Sequence, residues 1–444
     1  MALFDLEGNR VNLSASASPL FDEQETVPEK TTYYDSAYFD EIYHPRTAWE
    51  HIRGIEPYEI SHPPLGKLIM GVGIRLFGMT PFGWRFMGTL FGVGMLPLLY
   101  VFLKNLFGRT SIATCGTVLL AADFMHLTQT RLATIDTYAF FFILLMYYFM
   151  YRYLTLPAGA PFRKCALPLF LSGLFWGIGA ASKWTVIYGC TGLVVLYFIG
   201  LYQKLRDWPA DGETGARQPG RLKWAFQILA FSVLVFALIP AAIYTLSYLP
   251  YAWAEGDSSL TGLVGAMWEN QKYMLSYHSG VTDTHPYSSR WYQWLFDIRP
   301  ILYYMDNSVP GYTTRFAAFV NPVVCWGGLL AVLACAVQAV RRRCARALFI
   351  VIGYLAQLVP WFFIGRITFA YHYFPSVLFL ILALCYVFYS LSEQEELIAW
   401  KPAMYAVTAG AAALYALFYP VLVGIQIPSW YGTCLLRWLP SWPF

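Results

Sequence analysis

"WAFQILAFSVLVFALIPAAIYTLSYL", Trp224 to Leu249, contains no charged residue. At 1.5 Å of rise per residue, about 20 such residues cross the roughly 30 Å hydrocarbon core of a bilayer. The stretch therefore reads as a membrane-spanning helix, and "TYAFFFILLMYYFMYRYL" (Thr137 to Leu154) reads the same way. The whole chain agrees: 58% of its 444 residues are apolar, 18% aromatic and only 13% charged, with a mean hydropathy of +0.47. A soluble domain is about half apolar and about a quarter charged. The expected fold class is an all-α polytopic membrane protein, a transmembrane helix bundle with extracytoplasmic loops. The net charge of +4 is modest, and no basic, aromatic-interleaved patch points to nucleic acid. Eight scattered cysteines, without a CxxC pair or ligand spacing, exclude a zinc site or disulfide framework as the organising principle.

Ten spans are expected, at approximately 82–103, 111–130, 136–154, 166–182, 184–202, 224–249, 316–340, 347–365, 369–390 and 402–425. They divide the chain into a first outer loop (1–81), spans 1–6 (82–249), a large outer loop (250–315), spans 7–10 (316–425) and an outer tail (426–444). Short loops rich in Lys and Arg stay in the cytoplasm. "KNLFGR", "RYLTLPAGAPFRK", "QKLRDWPADGETGARQPGRLK" and "RRRCAR" all fall on one side. The loop "LSEQEELIAWK" (391–401) shares that side by parity but is acidic and gives the rule no support. The other side, outside the cytoplasm, holds the first loop, the large loop and the tail. Cys344, in "RRRCAR", is expected inside, and Cys434 outside.

The outer loops hold the chemistry. "YFDEIYHPRTAWEHIRGIEPYEISHPPLGKL" (Tyr38 to Leu68) places the acid pair Asp40-Glu41 ahead of His62 and a Pro-Pro turn. Residues 65–78 read as an amphipathic helix on the membrane surface, with Lys67 and Arg75 outside its apolar face and Pro64 at its start. Charges inside a bilayer cost several kcal/mol unless paired or wetted, so each is a functional candidate. In "ADFMHLTQTRLATID", Asp123, Leu127 and Arg131 are four apart and share a helix face, and Asp136 opens the next span. "GIGAASKWT" puts Lys183 at the same outer level, as "GRITFAYHYFP" puts Arg366 and His372. Singly, each reads as a snorkelling side chain, a structural ion pair or a packed histidine. Together they form a cationic ring near a carboxylate, which suits a lipid phosphate held by charge-assisted bonds.

At this point the chain resembles the protein O-mannosyltransferases of prokaryotic type, GT-C glycosyltransferases that use polyprenyl-phosphate mannose. The matching motifs are "FDE" (39–41), "HPPLGK" (62–67), "D…LTQTR…D" (123–136), "SKW" (182–184), "HPYSSRW" (285–291) and "TFAYHYFP" (368–375), in family order. The resemblance implies that Asp40 is the general base for a Ser or Thr hydroxyl, with Glu41 positioning acceptor or base. It implies that Arg131 holds the lipid phosphate, helped by Lys183, Arg366 and His372. His62, His285 and Arg290 would shape the acceptor cleft, and Asp123 and Asp136 would support the site. It also implies a membrane span ahead of the first loop, so a further in-frame apolar stretch is expected upstream of Met1.

The expected reaction moves mannose or another hexose from a polyprenyl phosphate to a protein hydroxyl. A phosphate leaves readily, so one carboxylate suffices for an inverting displacement. No Asp-x-Asp occurs in the chain, and a monophosphate donor offers no diphosphate for a metal to bridge. No metal and no cofactor are expected, and the donor itself is a substrate. The expected location is the plasma membrane, with the site extracytoplasmic; a dimer is one option, because such enzymes often pair. Two rivals are weighed, besides a non-catalytic subunit, against which the presence of Asp40 and Arg131 together argues. One is a related transferase acting on a lipid or glycan acceptor. The other is a transporter or flippase, disfavoured because the polar groups sit at the outer boundary and no internal repeat is seen.

Overall fold

The computed structural model describes residues 3–5, 7, 9–11, 35–209, 220–394 and 399–444. Most of the first 34 residues, the centre of the basic loop 203–223 and residues 395–398 of the acidic loop lie outside the described residues.

Two short helices, α1 (His44–Arg53) and α2 (Leu65–Phe77), lie in the first loop ahead of the long α3 (Pro81–Phe107). There follow α4 (Thr110–Ala121), α5 (Phe124–Arg131), α6 (Asp136–Leu154), α7 (Phe162–Ser182) and α8 (Thr185–Arg206). The sixth expected span is a nearly continuous run of α9 (Arg221–Val233), a π turn at 234–238, α10 (Ile239–Leu246) and α11 (Leu249–Ala254). The large loop holds α12 (Leu260–Gly280) and the short α13 (Trp291–Trp294). The bundle then closes with α14 (Pro322–Arg341), α15 (Ala345–Leu358), α16 (Phe374–Ser392) and α17 (Trp400–Val423).

Among the described residues, eight helical stretches are long and apolar enough to cross a membrane, nine if the bent pair α4–α5 counts as one. Helix α6 falls outside that count because tyrosines and Arg152 dilute its apolar character, yet it is buried along most of its length. Helix α16, with the turn before it, is the central post: 78% of its most apolar window is buried inside the protein, where it packs on α14 and α15.

Two interruptions have identifiable causes. The 57° bend between α4 and α5 is made by Asp123. This residue leaves the helix with an extended backbone and caps α5, accepting the His126 N–H at 2.9 Å. Its other oxygen accepts the Asn321 N–H at 3.0 Å, and Asn321 in turn donates to the carbonyls of Ala122 and Ala411, both at 2.9 Å. That node ties the bend to α14 and α17. The face predicted for Asp123, Leu127 and Arg131 therefore does not form, because Asp123 is the break and not a helical position. The second interruption, at Lys183, separates α7 from α8 with one extended residue.

The large loop adds structure beyond the helices. Strands β1 (Ile301–Asp306), β2 (Tyr312–Ala318) and β3 (Gln426–Pro428) form an antiparallel sheet in that order. Ile301 pairs with Ala318 in the hairpin, and Thr313 pairs with Ile427 from the tail. The seventh span starts at Pro322, so residues 316–318, expected within it, are strand. Aromatic and β-branched residues such as those of "YTTRF" suit a pleated, half-buried surface.

Contacts sort the loops into two ends. Arg109, the last residue of "KNLFGR", pairs with Glu393 of the acidic loop at 2.7 Å, and Trp224 donates to the Ala160 carbonyl at 2.9 Å. The acidic loop thus lies at the basic end despite its charge. The first loop, the Lys183 break, the large loop and residues 363–370 gather at the opposite end. Cys434, at that opposite end, is exposed, while Cys344 is half-buried at the basic end and receives a hydrogen bond from the Tyr386 hydroxyl. A membrane-impermeant thiol reagent on intact cells is expected to label Cys434, and to reach Cys344 only after permeabilisation. The reverse pattern would invert the orientation.

Candidate active site

The site is built from the first loop upward. Phe39 has a φ of 53°, a left-handed conformation that costs a non-glycine residue about 1–2 kcal/mol. Its ring is held in an aromatic nest, with centroids of Phe369 at 5.0 Å, His285 at 5.6 Å, Tyr303 at 5.8 Å and Tyr371 at 6.0 Å. The strained turn sends the next two carboxylates in different directions. Glu41 is fully buried and takes both oxygens to Arg85, from Nε at 2.8 Å and Nη2 at 2.7 Å. It also accepts the Ala133 N–H at 2.8 Å. The clamp occupies both oxygens of Glu41, an arrangement compatible with the positioning role that the resemblance implies for it.

Asp40 is different. It is partly buried, and no described residue hydrogen-bonds its carboxylate. Burial raises its pKa from the ordinary 3.8; His44 and Lys183 pull the other way, while Asp136 and Glu59 add to the rise. A carboxylate with free lone pairs and a raised pKa has the properties of a general base.

A second network stands beside it. Glu59 pairs with Lys67, lies 3.2 Å from His62 Nδ1 and 3.5 Å from His44 Nδ1. Burial opposes ionisation of Glu59, but Lys67 and the two histidines outweigh it and hold the carboxyl well below its usual range. Lys67 is completely buried, which corrects its expected exposure on α2: Arg75 is on the open side, but Lys67 turns inward to Glu59 and to the carbonyls of Glu59 and His62. His44, His62 and His278 pack edge to face, each neighbouring pair 5.6 Å apart. Burial pushes His62 down to about 3, keeping it neutral.

His62, Lys183, His278, Arg366 and His372 line one cavity of about 530 Å³, together with Trp184, Tyr188 and Trp361. Lys183 pairs with Asp136 at 2.6 Å and lies over the Tyr371 ring. Arg366 donates only to its neighbour's carbonyl, Ile367, at 3.2 Å and forms no ion pair among the described residues. With Lys183 neutralised by Asp136, Arg366 leaves the cavity one uncompensated positive charge. A second cavity of about 500 Å³ shares Val281, Gly365 and Arg366 and is lined by hydroxyls, including Thr282, Ser288, Ser289 and Thr368, with Asp283 and Arg290.

Four sequence candidates thus meet on the first cavity: His62, Lys183, Arg366 and His372. Others do not. Arg131 is not among the lining residues; it lies over Phe316 at 5.4 Å and approaches the Leu422 carbonyl at 3.4 Å, because the bend at Asp123 carries the end of α5 toward α17 and β2. His285 supports Phe39 from outside both cavities, whereas Arg290 lines the second and ties down residues 364–365. Sequence reasoning missed Arg85, Glu59 and His278. Arg85 had a signal, an arginine at the foot of an apolar span; the other two had none, since their partners are set by folding.

Models of one family match successive parts of the chain. "Dolichyl-phosphate-mannose-protein mannosyltransferase" matches residues 78–254, and "C-terminal four TMM region of protein-O-mannosyltransferase" matches 263–442. Polyprenol-phosphate-mannose–protein mannosyltransferases of Mycolicibacterium smegmatis strain MKD8 and Mycobacterium tuberculosis strain CDC 1551 are each 26% identical. The alignments cover 91% and 98% of this chain and 87% and 88% of those proteins. Among solved structures, the Saccharomyces cerevisiae Pmt1–Pmt2 complex bound to the sugar donor has a chain that superposes with a TM-score of 0.78 at 14% identity. That match spans 93% of this chain and 90% of the other. ArnT from Cupriavidus metallidurans gives 0.55 at 14% identity, over 88% and 73%. Both share the fold of this chain.

Arg85→Met is expected to destabilise the protein by about 3–5 kcal/mol, because it strands the buried Glu41 charge. Adding Glu41→Gln should recover most of that loss, since no buried charge then remains unpaired. Thermal unfolding of the purified single and double variants checks both outcomes.

Proposed function

This chain belongs to the protein O-mannosyltransferase family, and on that premise we propose that its first cavity holds the phosphate of a polyprenyl-phosphate mannose while Asp40 deprotonates the acceptor hydroxyl. The protein is a multi-pass membrane glycosyltransferase that moves mannose from a lipid-linked donor to protein. The observation carrying the site assignment is the uncompensated Arg366 beside the Lys183–Asp136 pair. A phosphodiester donor carries one negative charge, which is what that surplus cation balances.

In the proposed reaction the acceptor hydroxyl oxygen attacks the anomeric carbon from the face opposite the phosphate, and its proton passes to an Asp40 oxygen. The carbon–oxygen bond to phosphate breaks and its electron pair stays on the departing lipid phosphate. Arg366 and Lys183 face the charge that develops there, and His372 borders the same space. The phosphate departs unprotonated, so one carboxylate serves and the anomeric configuration inverts. The hydroxyl-lined second cavity, which meets the first at Arg366, suits a polypeptide acceptor, with Arg290 at its edge. His62 lines the donor cavity and not the second one, so its contact in this reading is with the donor. The site belongs outside the cytoplasm, because the opposite end carries the basic loops. Pairing with a second chain is part of the proposal, supported by the yeast neighbour's being a Pmt1–Pmt2 complex.

Asp40→Asn should keep the fold and lower turnover by about 10²–10⁴-fold, the usual loss when a general base is removed. Arg366→Ala should instead raise the donor KM as well as lower turnover. A near-normal rate for correctly inserted Asp40→Asn would sink the assignment. Asp40 acts only when ionised, so activity must rise with pH through its pKa. Because burial raises that pKa, the acid limb of the rate profile should lie above that of an exposed carboxylate.

No metal is required in this reaction. Activity in purified, EDTA-treated protein is expected to match untreated protein, and loss restored by Mn²⁺ or Mg²⁺ would overturn the metal-free displacement.

A further inference from the structure

Helix α12 buries one stripe against the protein: Leu263, Ala266, Asn270 and Met274. Beside that stripe it exposes another made of large apolar side chains. Leu260 is 76% exposed, Val264 44%, Trp268 58% and Leu275 62%. At 3.6 residues per turn these four lie within about 60° of Gln271. The remaining face carries Ser276, the Glu269–Lys272 ion pair at 2.7 Å and the stacked, hydroxyl-bearing Tyr273 and Tyr277.

The direction of the exposed stripe follows from contacts with the sixth span. Tyr244 lies one helical turn, about 6 Å, nearer the bilayer interior than Tyr248. The deeper Tyr244 donates to Gln271 at 2.8 Å, and its neighbour Thr245 contacts Met267 at 3.2 Å. The shallower Tyr248 donates to Asn270 at 2.7 Å and accepts from Gln271 at 2.9 Å, while Asn270 alone reaches up to the first loop, donating to the Ile60 carbonyl at 2.9 Å. Turning around α12 from Asn270 to Gln271 therefore turns toward the membrane, and the exposed apolar stripe continues on that side. The sixth span itself is open to lipid there, with Leu238 and Leu246 exposed.

From this geometry we infer that α12 is an in-plane membrane helix, seated in the outer interface with Val264, Trp268 and Leu275 among the acyl chains. Its length, its separate polar face and its tryptophan fit an interfacial helix. The occupant of the stripe is phospholipid and not another protein, because the stripe continues the lipid-facing surface of the span from which the helix emerges. The consequence reaches the donor cavity. The C-terminal turn of α12 supplies His278 and Ser279 to the cavity wall, and His278 Nε2 lies 2.9 Å from the Ser61 carbonyl. Bilayer depth thus sets the height of that wall, at the level where a lipid-borne phosphate arrives. The membrane seat rests on the helix geometry alone, so failure of the catalytic assignment would leave it standing.

The test places p-benzoylphenylalanine at position 268, 275 or 276, one at a time, in the full chain. Each protein is reconstituted in phosphatidylethanolamine–phosphatidylglycerol vesicles with tritiated acyl chains and irradiated. Positions 268 and 275 should capture radiolabelled lipid several-fold more efficiently than position 276 on the polar face. Equal capture at all three positions, no capture at 268 and 275, or cross-linking there to a second copy of the chain would each overturn the inference. None of the three positions lies in the proposed catalytic machinery, so retained activity in each variant verifies the fold.

Discussion

The clamp of Arg85 on Glu41 is the contact from which the candidate site is assembled. It joins the first loop to the start of α3, and through the Ala133 N–H it fastens the same carboxylate to the turn between α5 and α6. Three segments distant in sequence are thereby set against each other around one buried charge. A buried ion pair need not add net stability, because desolvation offsets much of its attraction. Its value here is geometric. A bidentate guanidinium fixes both distance and orientation, and Asp40 is the residue next to the group so fixed. The left-handed Phe39 on the other side of Asp40 completes the constraint, since a strained backbone persists only where surrounding contacts over-determine it.

Charge is distributed around the site in a consistent way. Glu41 is matched by Arg85, Glu59 by Lys67 and Asp136 by Lys183. These pairs hold the loops and helix ends together and leave little net field of their own. Beside these pairs stand a negative group, Asp40, and a positive one, Arg366, neither of which forms an ion pair among the described residues. The two groups left over by the structural pairing are of opposite sign and of the kinds that a displacement at a phosphosugar needs. Lys183 connects them, lining the cavity with Arg366 while lying in the field of Asp40. His62 and His278 line the same cavity, and burial disfavours their protonation.

The bundle supports this arrangement through its breaks more than through its regular helices. Asp123 and Lys183 both stand where a helix is interrupted. The first is spent on capping and on Asn321, deep in the packing. The second emerges at the end that holds the first and large loops, where one extended residue lets its ammonium reach both Asp136 and the cavity. Charged residues of similar appearance in sequence thus acquire different duties, and the deciding factor is whether a neighbouring element supplies the partner.

The chain by itself determined what is encoded locally. The apolar length of each span, the basic loops and the Pro-Pro turn before α2 are readable within short windows, and helices form over every expected span. The motifs also named Lys183, Arg366, His372 and His62, which share one cavity. The tertiary structure alone decided the rest. Glu41 looked like a partner of Asp40 until Arg85 was seen to claim it, and Arg131 looked like part of the ring until the bend at Asp123 carried it away. The strand pairing of Thr313 with Ile427 and the inward turn of Lys67 toward Glu59 had no local signal either. The physical reason is the same in each case. Hydrophobic length acts on the chain residue by residue against lipid, whereas the destination of a charge depends on which distant group offers it a counter-charge once both have left water.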